Sequence, residues 1–316
     1  MRLEADQDAL DFGASVRELL ADIAPPAALR TAWDTESGRI RGLWARLAEV
    51  GVLSSLVPEE LGGLGLDARS VLPVLIESGR SALPEPLVET LVGSALLAAT
   101  GGPLAQRWLP AVAAGEAVIA IGLGPGALVS GAQWADLFLL LDKTGAVHAV
   151  EAAALTTHAE PSIDHGVRLA RIDWRPRDDT VVPGADAEAA FDLAVVAVAA
   201  QLVGLAESML DLSVGYALQR EQFGKMIGSF QAVKHQLADV YVANAFAKPV
   251  VARAAASIAT DSASGARDAS HAKYAASRAA ALAARTALQV HAGIGYTFEH
   301  DLHMWMKRTW SLTSLW

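Results

Sequence analysis

The sequence predicts a mainly α-helical protein with a small antiparallel β-domain set into a helical bundle. Three observations carry this. Alanine-rich stretches with apolar residues every third or fourth position fill the C-terminal part. Short β-leaning runs separated by turn residues crowd the middle. At the start, a further helical pattern is broken by Pro/Gly corners.

Taken in order, residues 1–115 read as helices interrupted at APPAA (24–28), VPEELGGLGLD (57–67) and SALPEP (81–86). Leu43, Trp44, Leu47 and Val50 recur at helical spacing, and Gly62, Gly63 and Gly65 mark a helix stop. Residues 116–184 change character. AVIAIGL, DLFLLL, AVHAV and VRLARIDW are strand-like, and DKTG (142–145) supplies hairpin chemistry between two of them. Residues 185–316 return to helix, as Phe191–Gln219, Phe230 to about Ala259 with a break near Pro249, and Ala266–His291. In the second of these, Phe230, Val233, Leu237, Val240, Tyr241 and Asn244 share one face, apolar except for Asn244. The third has little side-chain bulk and suits close helix–helix contact.

Composition narrows the function. Of the 316 residues, 53% are hydrophobic and 19% charged, which excludes a disordered chain and demands extensive packing or subunit interfaces. A net charge of −10 repels a polyphosphate backbone, so no nucleic-acid binding is expected. The absence of cysteine removes disulfides and thiolate metal sites. The opening MRLEADQDALDFGASVRELL carries charges throughout, and the apolar run Leu193–Ala206 is short for a bilayer. No membrane association and a cytoplasmic location are therefore expected.

Two segments carry candidate chemistry. In REQFGKMIGSFQ, Arg220 closes one helix, Gly224 and Gly228 bend the chain, and Phe230-Gln231 opens the next. An arginine fork beside a helix start suits a pyrophosphate; a surface charge capping a helix C-terminus is the competing reading. In QVHAGIGYTF, Gln289 closes a helix and Gly293 and Gly295 permit close backbone approach, although a glycine helix stop accounts for one of the two. GLGPG (122–126) lacks the third glycine and the following helix of a dinucleotide fingerprint and reads as a loop corner. His291, His300 and His303, with Glu299 and Asp301, have no further ligand at metal-binding spacing, so no metal is expected.

Together the two segments resemble the flavin-binding signatures of the acyl-CoA dehydrogenase family. REQFGKMIGSFQAVKHQLADVYV is similar to its Arg-x-x-Phe-Gly…Phe-Gln…His-x-Leu-Ala-Asp pattern. QVHAGIGYTFEHDLHMWMKR is similar to its Gln-x-His-Gly-Gly-x-Gly-Tyr-Thr-x-Glu stretch, with Ala292 in place of one glycine. WARLAEVGVLSSLVPEELGGLGL resembles the N-terminal helical domain, so the likeness covers nearly the whole chain. It implies an N-terminal helical domain (1–115), a shortened middle β-domain (116–184) and a C-terminal four-helix domain (185–316). It also implies FAD as cofactor, α,β-desaturation of an acyl-CoA thioester, and an electron-transfer flavoprotein as acceptor. Carried over by position, Arg220, Gln222, Phe223, Phe230, Gln231, Gln289 and Gly293 contact an FAD held by an adjacent subunit.

The departures matter as much. The family's middle domain is longer and carries a Thr-Glu-Pro-Gly-Ala-Gly-Ser-like loop that is reduced here. One family position for the catalytic glutamate holds Ala194, and the other falls one residue beyond Trp316. Glu207 lies thirteen residues past Ala194 on one helix, roughly 20 Å away, and Glu299 matches a glutamate that is not the base. No catalytic residue is therefore assigned to this chain. The pattern resembles one subunit of the heteromeric (α2β2) acyl-CoA dehydrogenases of bacterial steroid degradation, with a partner subunit supplying the base and a steroid side-chain CoA ester as the candidate substrate. A self-sufficient homo-oligomeric dehydrogenase and a flavin-free structural relative remain the alternatives.

Overall fold

The computed structural model describes residues 5–123 and 128–316, so residues 124–126 of GLGPG and the expected loop corner there lie outside it. The helices are α1 (Gln7–Ile23), α2 (Pro26–Trp33), α3 (Leu43–Glu49), α4 (Ala68–Arg80), α5 (Leu87–Thr100) and α6 (Gly102–Ala113). Strands β1 (Ile119–Gly122), β2 (Val129–Ser130), β3 (Leu137–Leu141), β4 (Val147–Glu151), β5 (Thr156–Glu160) and β6 (Leu169–Asp173) follow. Then come α7 (Ala187–Gln219), the short hairpin β7 (Glu221–Gln222) and β8 (Lys225–Met226), α8 (Gln231–Ala259), α9 (Gly265–His291) and α10 (Leu302–Ser314).

Two compact units emerge. The first contains residues up to Arg30, Leu72–Leu83 and Val195–Trp316; the second contains Thr31–Val71 and Pro84–Ala194. In the second unit, the nearly fully buried α5 packs on β1, and Gly93 leaves room for Ile119, whose Cγ2 would lie 2.4 Å from an added Cβ. Two three-stranded sheets form, in the orders β1-β3-β4 and β2-β6-β5. The β3–β4 hairpin turns through DKTG as expected, with Asp142 Oδ1 accepting from the Thr144 and Ala146 amides. The Thr144 hydroxyl is the leading cause that lowers the Asp142 carboxyl to about 2. The β1–β3 pairing is parallel, a departure from the expected all-antiparallel unit, with Ile119 opposite Leu137 and Gly122 opposite Leu140. β2 and β5 were not anticipated, because β5 (TTHAE) is exposed and has no apolar pattern to betray it.

In the first unit, α7 is buried at every position across residues 195–206 and is correspondingly apolar all round there except for Gln201. Its most apolar window has a mean hydropathy of 2.0 and 78% of it is buried, so α7 is long and apolar enough to cross a bilayer by length and composition, unlike the shorter run read from the sequence. Two glycines set its closest packing. An added Cβ on Gly204 would lie 2.0 Å from the Ile76 carbonyl oxygen, and one on Gly79 would lie 2.0 Å from that of Gln201. The backbones of α4 and α7 thus touch where neither has a side chain.

α8 runs unbroken through Pro249, and α9 packs along it with Ala269, Ala272, Ala276, Ala280, Ala283 and Ala287 buried at helical spacing. The stripe expected on α8 is only partly buried. Val240 and Asn244 are inside, whereas Tyr241 is 65% exposed. Asn244 earns its place by donating to the Val203 carbonyl. α10 is fastened to the end of α4: Trp305 Nε1 donates to the Arg80 carbonyl at 2.8 Å and buried Arg308 donates to the Leu83 carbonyl. The first bond satisfies a carbonyl that the C-terminus of α4 leaves without an internal donor, and the second pins the chain just beyond it.

Candidate functional site

The end of α7, the β7–β8 hairpin and the end of α9 form one corner of the first unit. Tyr216, one turn before Arg220, stacks on His291 with ring centroids 4.4 Å apart. His291 sits midway between Gln289 and Gly293, so this stack joins the two signature segments. The His300 ring lies 4.6 Å from His291 and meets Tyr216 edge-on. His291 Nδ1 faces the Ala287 carbonyl at 2.8 Å and must carry its proton there, since a carbonyl only accepts. Burial, partly opposed by that bond and reinforced by His300, lowers the pKa of the ring.

The hairpin projects the chemistry outward. Phe223 and Gly224 occupy its two-residue turn with φ of 55° and 75°, a geometry that favours Asn-Gly and costs a bulky L-residue about 1–2 kcal/mol. Despite that cost, Phe223 is 92% exposed, with its ring edge-on to Phe230 at 6.1 Å. The Lys225 ammonium lies over the Phe230 ring, 4.4 Å from its centroid. Arg220, Gln222 and Gln231 are exposed. The Arg220 guanidinium has no partner among the described residues, so the helix-capping role gains no observed contact. Gly228 is required internally, since an added Cβ would lie 2.9 Å from the Ala217 carbonyl oxygen.

At the second segment, the two glycines separate in role. Gly295 is buried, and its missing side chain makes room for the His291 Cβ, which an added Cβ would approach to 2.8 Å. Gly293 is exposed, has nothing within 4 Å of an added Cβ and is not among the residues with positive φ. Nothing in its own chain requires a glycine there. Ala292 adopts φ 53° and ψ −140°, a conformation natural to glycine alone.

These features fit a flavin nucleotide held by another chain. An unpartnered guanidinium, an exposed aromatic ring, exposed amide side chains and a glycine open to the outside face away from their own fold. The positions relevant to a base read differently. Ala194 is fully buried. Glu207 accepts from Arg80 at 2.8 Å and also pairs with Lys248, which commits its carboxylate to the packing of the unit. Glu299 is exposed. The sequence reading passed over Asp192, two residues before Ala194. Burial, then the charges of Glu188 and Asp186, raise its carboxyl above the usual range. Only the run of three acids at 186, 188 and 192 signalled this in the sequence.

Comparison with known proteins agrees with this architecture. Residues 6–116 match the N-terminal domain of acyl-CoA dehydrogenases and residues 185–315 match their C-terminal domain. The chain is 37% identical over 301 residues to Acyl-CoA dehydrogenase IpdE2 of Mycobacterium tuberculosis, covering 93% of this chain and 88% of that protein. It superposes on one chain of the ChsE4-ChsE5 complex from Mycobacterium tuberculosis with a TM-score of 0.87 and 27% identity, covering 99% of this chain and 95% of the other. The Tcur3481-Tcur3483 steroid ACAD G363A variant gives a TM-score of 0.88 at 25% identity, covering 97% and 93%. The fold and the matched domains define an oxidoreductase of the flavin-dependent class. This chain belongs to the acyl-CoA dehydrogenase family.

Proposed function

We propose that this chain is the subunit of a heteromeric acyl-CoA dehydrogenase that lacks the catalytic glutamate and completes the FAD site of a partner subunit. The outward corner of Arg220, Gln222 and Phe223, in which the Arg220 guanidinium meets no acceptor among the described residues, carries this reading. Arg220 would grip the pyrophosphate with its fork, while Gln289 and Gly293 would receive the nucleotide along an open backbone. FAD bound there supplies the acceptor for the β-hydrogen in α,β-desaturation of the acyl thioester. The α-proton goes to a carboxylate of the partner, since Ala194 offers none and Glu207 is spent on Arg80 and Lys248. A steroid side-chain CoA ester is the proposed substrate, supported by the likeness to a steroid ACAD. An electron-transfer flavoprotein is the proposed acceptor and the cytoplasm the proposed location, both on family membership. We also keep the division into segments 1–115, 116–184 and 185–316 as the proposed domain plan.

One observation favours a second reading, a self-sufficient enzyme. Burial and the neighbouring Glu188 and Asp186 raise the Asp192 carboxyl, the direction in which catalytic carboxylates are tuned. On a helix, however, a two-residue step turns it about 200° away from Ala194. Asp192→Asn in the assembled enzyme separates the two: flavin bleaching by substrate persists if the base is the partner's and stops if it is Asp192.

The FAD contact is tested by equilibrium flavin titration of the assembled apoprotein. Arg220→Ala is expected to weaken FAD by about ten- to a hundred-fold, the loss of about 1.5–3 kcal/mol of charge-assisted bonding. Arg220→Lys recovers part of it, because the ammonium keeps the charge but not the planar fork. Unchanged affinity in the alanine variant returns Arg220 to a helix-end charge.

A further inference from the structure

A groove of about 450 Å3 opens between α8 and α9, at the end of the helix pair away from the Arg220 corner, lined by Pro249, Val250, Arg253, Arg267, Asp268 and His271. Its floor is the buried Asp268 carboxylate. Oδ2 accepts from the Ser257 and Ser264 hydroxyls, each at 2.7 Å, and from Arg253 Nε at 3.2 Å. Arg267 Nε lies 3.6 Å from Oδ1. These hydroxyls, reinforced by Arg253, hold the carboxyl well below its usual range, so it stays ionised as an anchor.

Arg253 is tethered through Nε and Arg267 Nε faces the same carboxylate beyond hydrogen-bond distance, and the terminal nitrogens of both donate no hydrogen bond among the described residues. Other arginines of the unit are used differently. Arg17 binds Glu77 through both Nε and Nη2, and Arg80 divides its terminal nitrogens between Glu207 and Asp211. A single buried carboxylate needs one guanidinium to balance it; here two converge, and the imidazole of His271 adds a further polar group. With Asp268 subtracted, the two arginines leave one uncompensated positive charge lining the groove. A guanidinium fork held at Nε and free at its tips, as in Arg253, loses little rotamer freedom on binding an oxyanion.

We propose that this groove is an anion site for a phosphate group, held by the terminal nitrogens of Arg253 and Arg267 with His271 beside them. The site is separate from the FAD corner, and it stands whether or not the proposed subunit role does.

The test is isothermal titration of the full chain, in its co-purified assembly, with inorganic phosphate against a sodium chloride background of matched ionic strength. Saturable binding is expected, weakened at least tenfold in Arg267→Gln. That side chain is 62% exposed and its loss leaves Arg253 and both serines on Asp268, so the variant is expected to fold. Arg285→Gln, on the same helix but outside the groove, should bind as the unaltered chain does, and flavin content should be equal in all three proteins. No saturable heat, or undiminished binding by Arg267→Gln, overturns the proposal. An equal loss in Arg285→Gln does so too, by reducing the effect to general surface charge.

Discussion

At the scale of single residues, the corner of the molecule stores strain beside its exposed chemistry. Ala292 holds a glycine-like backbone, which costs of order 1–3 kcal/mol, whereas glycine would give back about 0.5–1 kcal/mol through its freer unfolded chain. Ala292→Gly is therefore expected to stabilise the protein by about 1 kcal/mol in denaturant unfolding; a loss of stability would show that the alanine methyl is a packing contact. His291 supplies a pH dependence. The fold favours its neutral ring, so below the ordinary value of 6.5 the unfolded chain binds the proton more readily. Stability from this group is complete above that pH and is lost as pH falls through the lowered folded value. His291→Phe keeps a ring against Tyr216 and should flatten the stability profile below pH 6.5; an unchanged acid slope assigns the effect to other groups. The family was legible in the sequence because Arg, Phe-Gly and Phe-Gln at fixed spacing are rare together. The Tyr216–His291 stack that joins them was not, since a tertiary contact between residues 75 positions apart leaves no periodic trace.

At the scale of elements, helices proved easier to read than strands. The boundaries read from the sequence for α9 and for the end of α7 lie within a residue of those observed, because a glycine or a charged corner stops each one. The expected break at Pro249 did not occur. A proline late in a long packed helix gives up one backbone bond, and tertiary packing holds the rest. The exposed β5 and the two-residue β2 escaped notice because an edge strand needs no apolar alternation. Backbone contact between α4 and α7 gives a sharp prediction. Gly204→Ala forces a methyl against the Ile76 carbonyl and is expected to cost about 1–3 kcal/mol or more in thermal or denaturant unfolding. Gly215→Ala, on the same helix with open space around it, should gain up to about 1 kcal/mol from helix propensity. Equal responses at the two positions would contradict the close approach.

At the scale of the whole molecule, aromatic side chains remain exposed on the two long helices: Tyr241 and Phe246 on α8 and Tyr274 on α9 are each more than half exposed. Apolar surface of this kind marks a surface to be covered by other chains and suits a member of an oligomeric assembly. The central claim is that this chain contributes contacts to a partner's FAD and brings neither a flavin nor a base of its own. Its most direct test is the flavin-to-chain ratio, measured by absorbance and quantitative mass spectrometry, for this chain purified alone and co-expressed with a partner subunit. The account predicts colourless protein alone, and in the assembly one FAD for each partner copy with none added by this chain. A yellow homo-oligomer carrying one FAD per copy of this chain would contradict it.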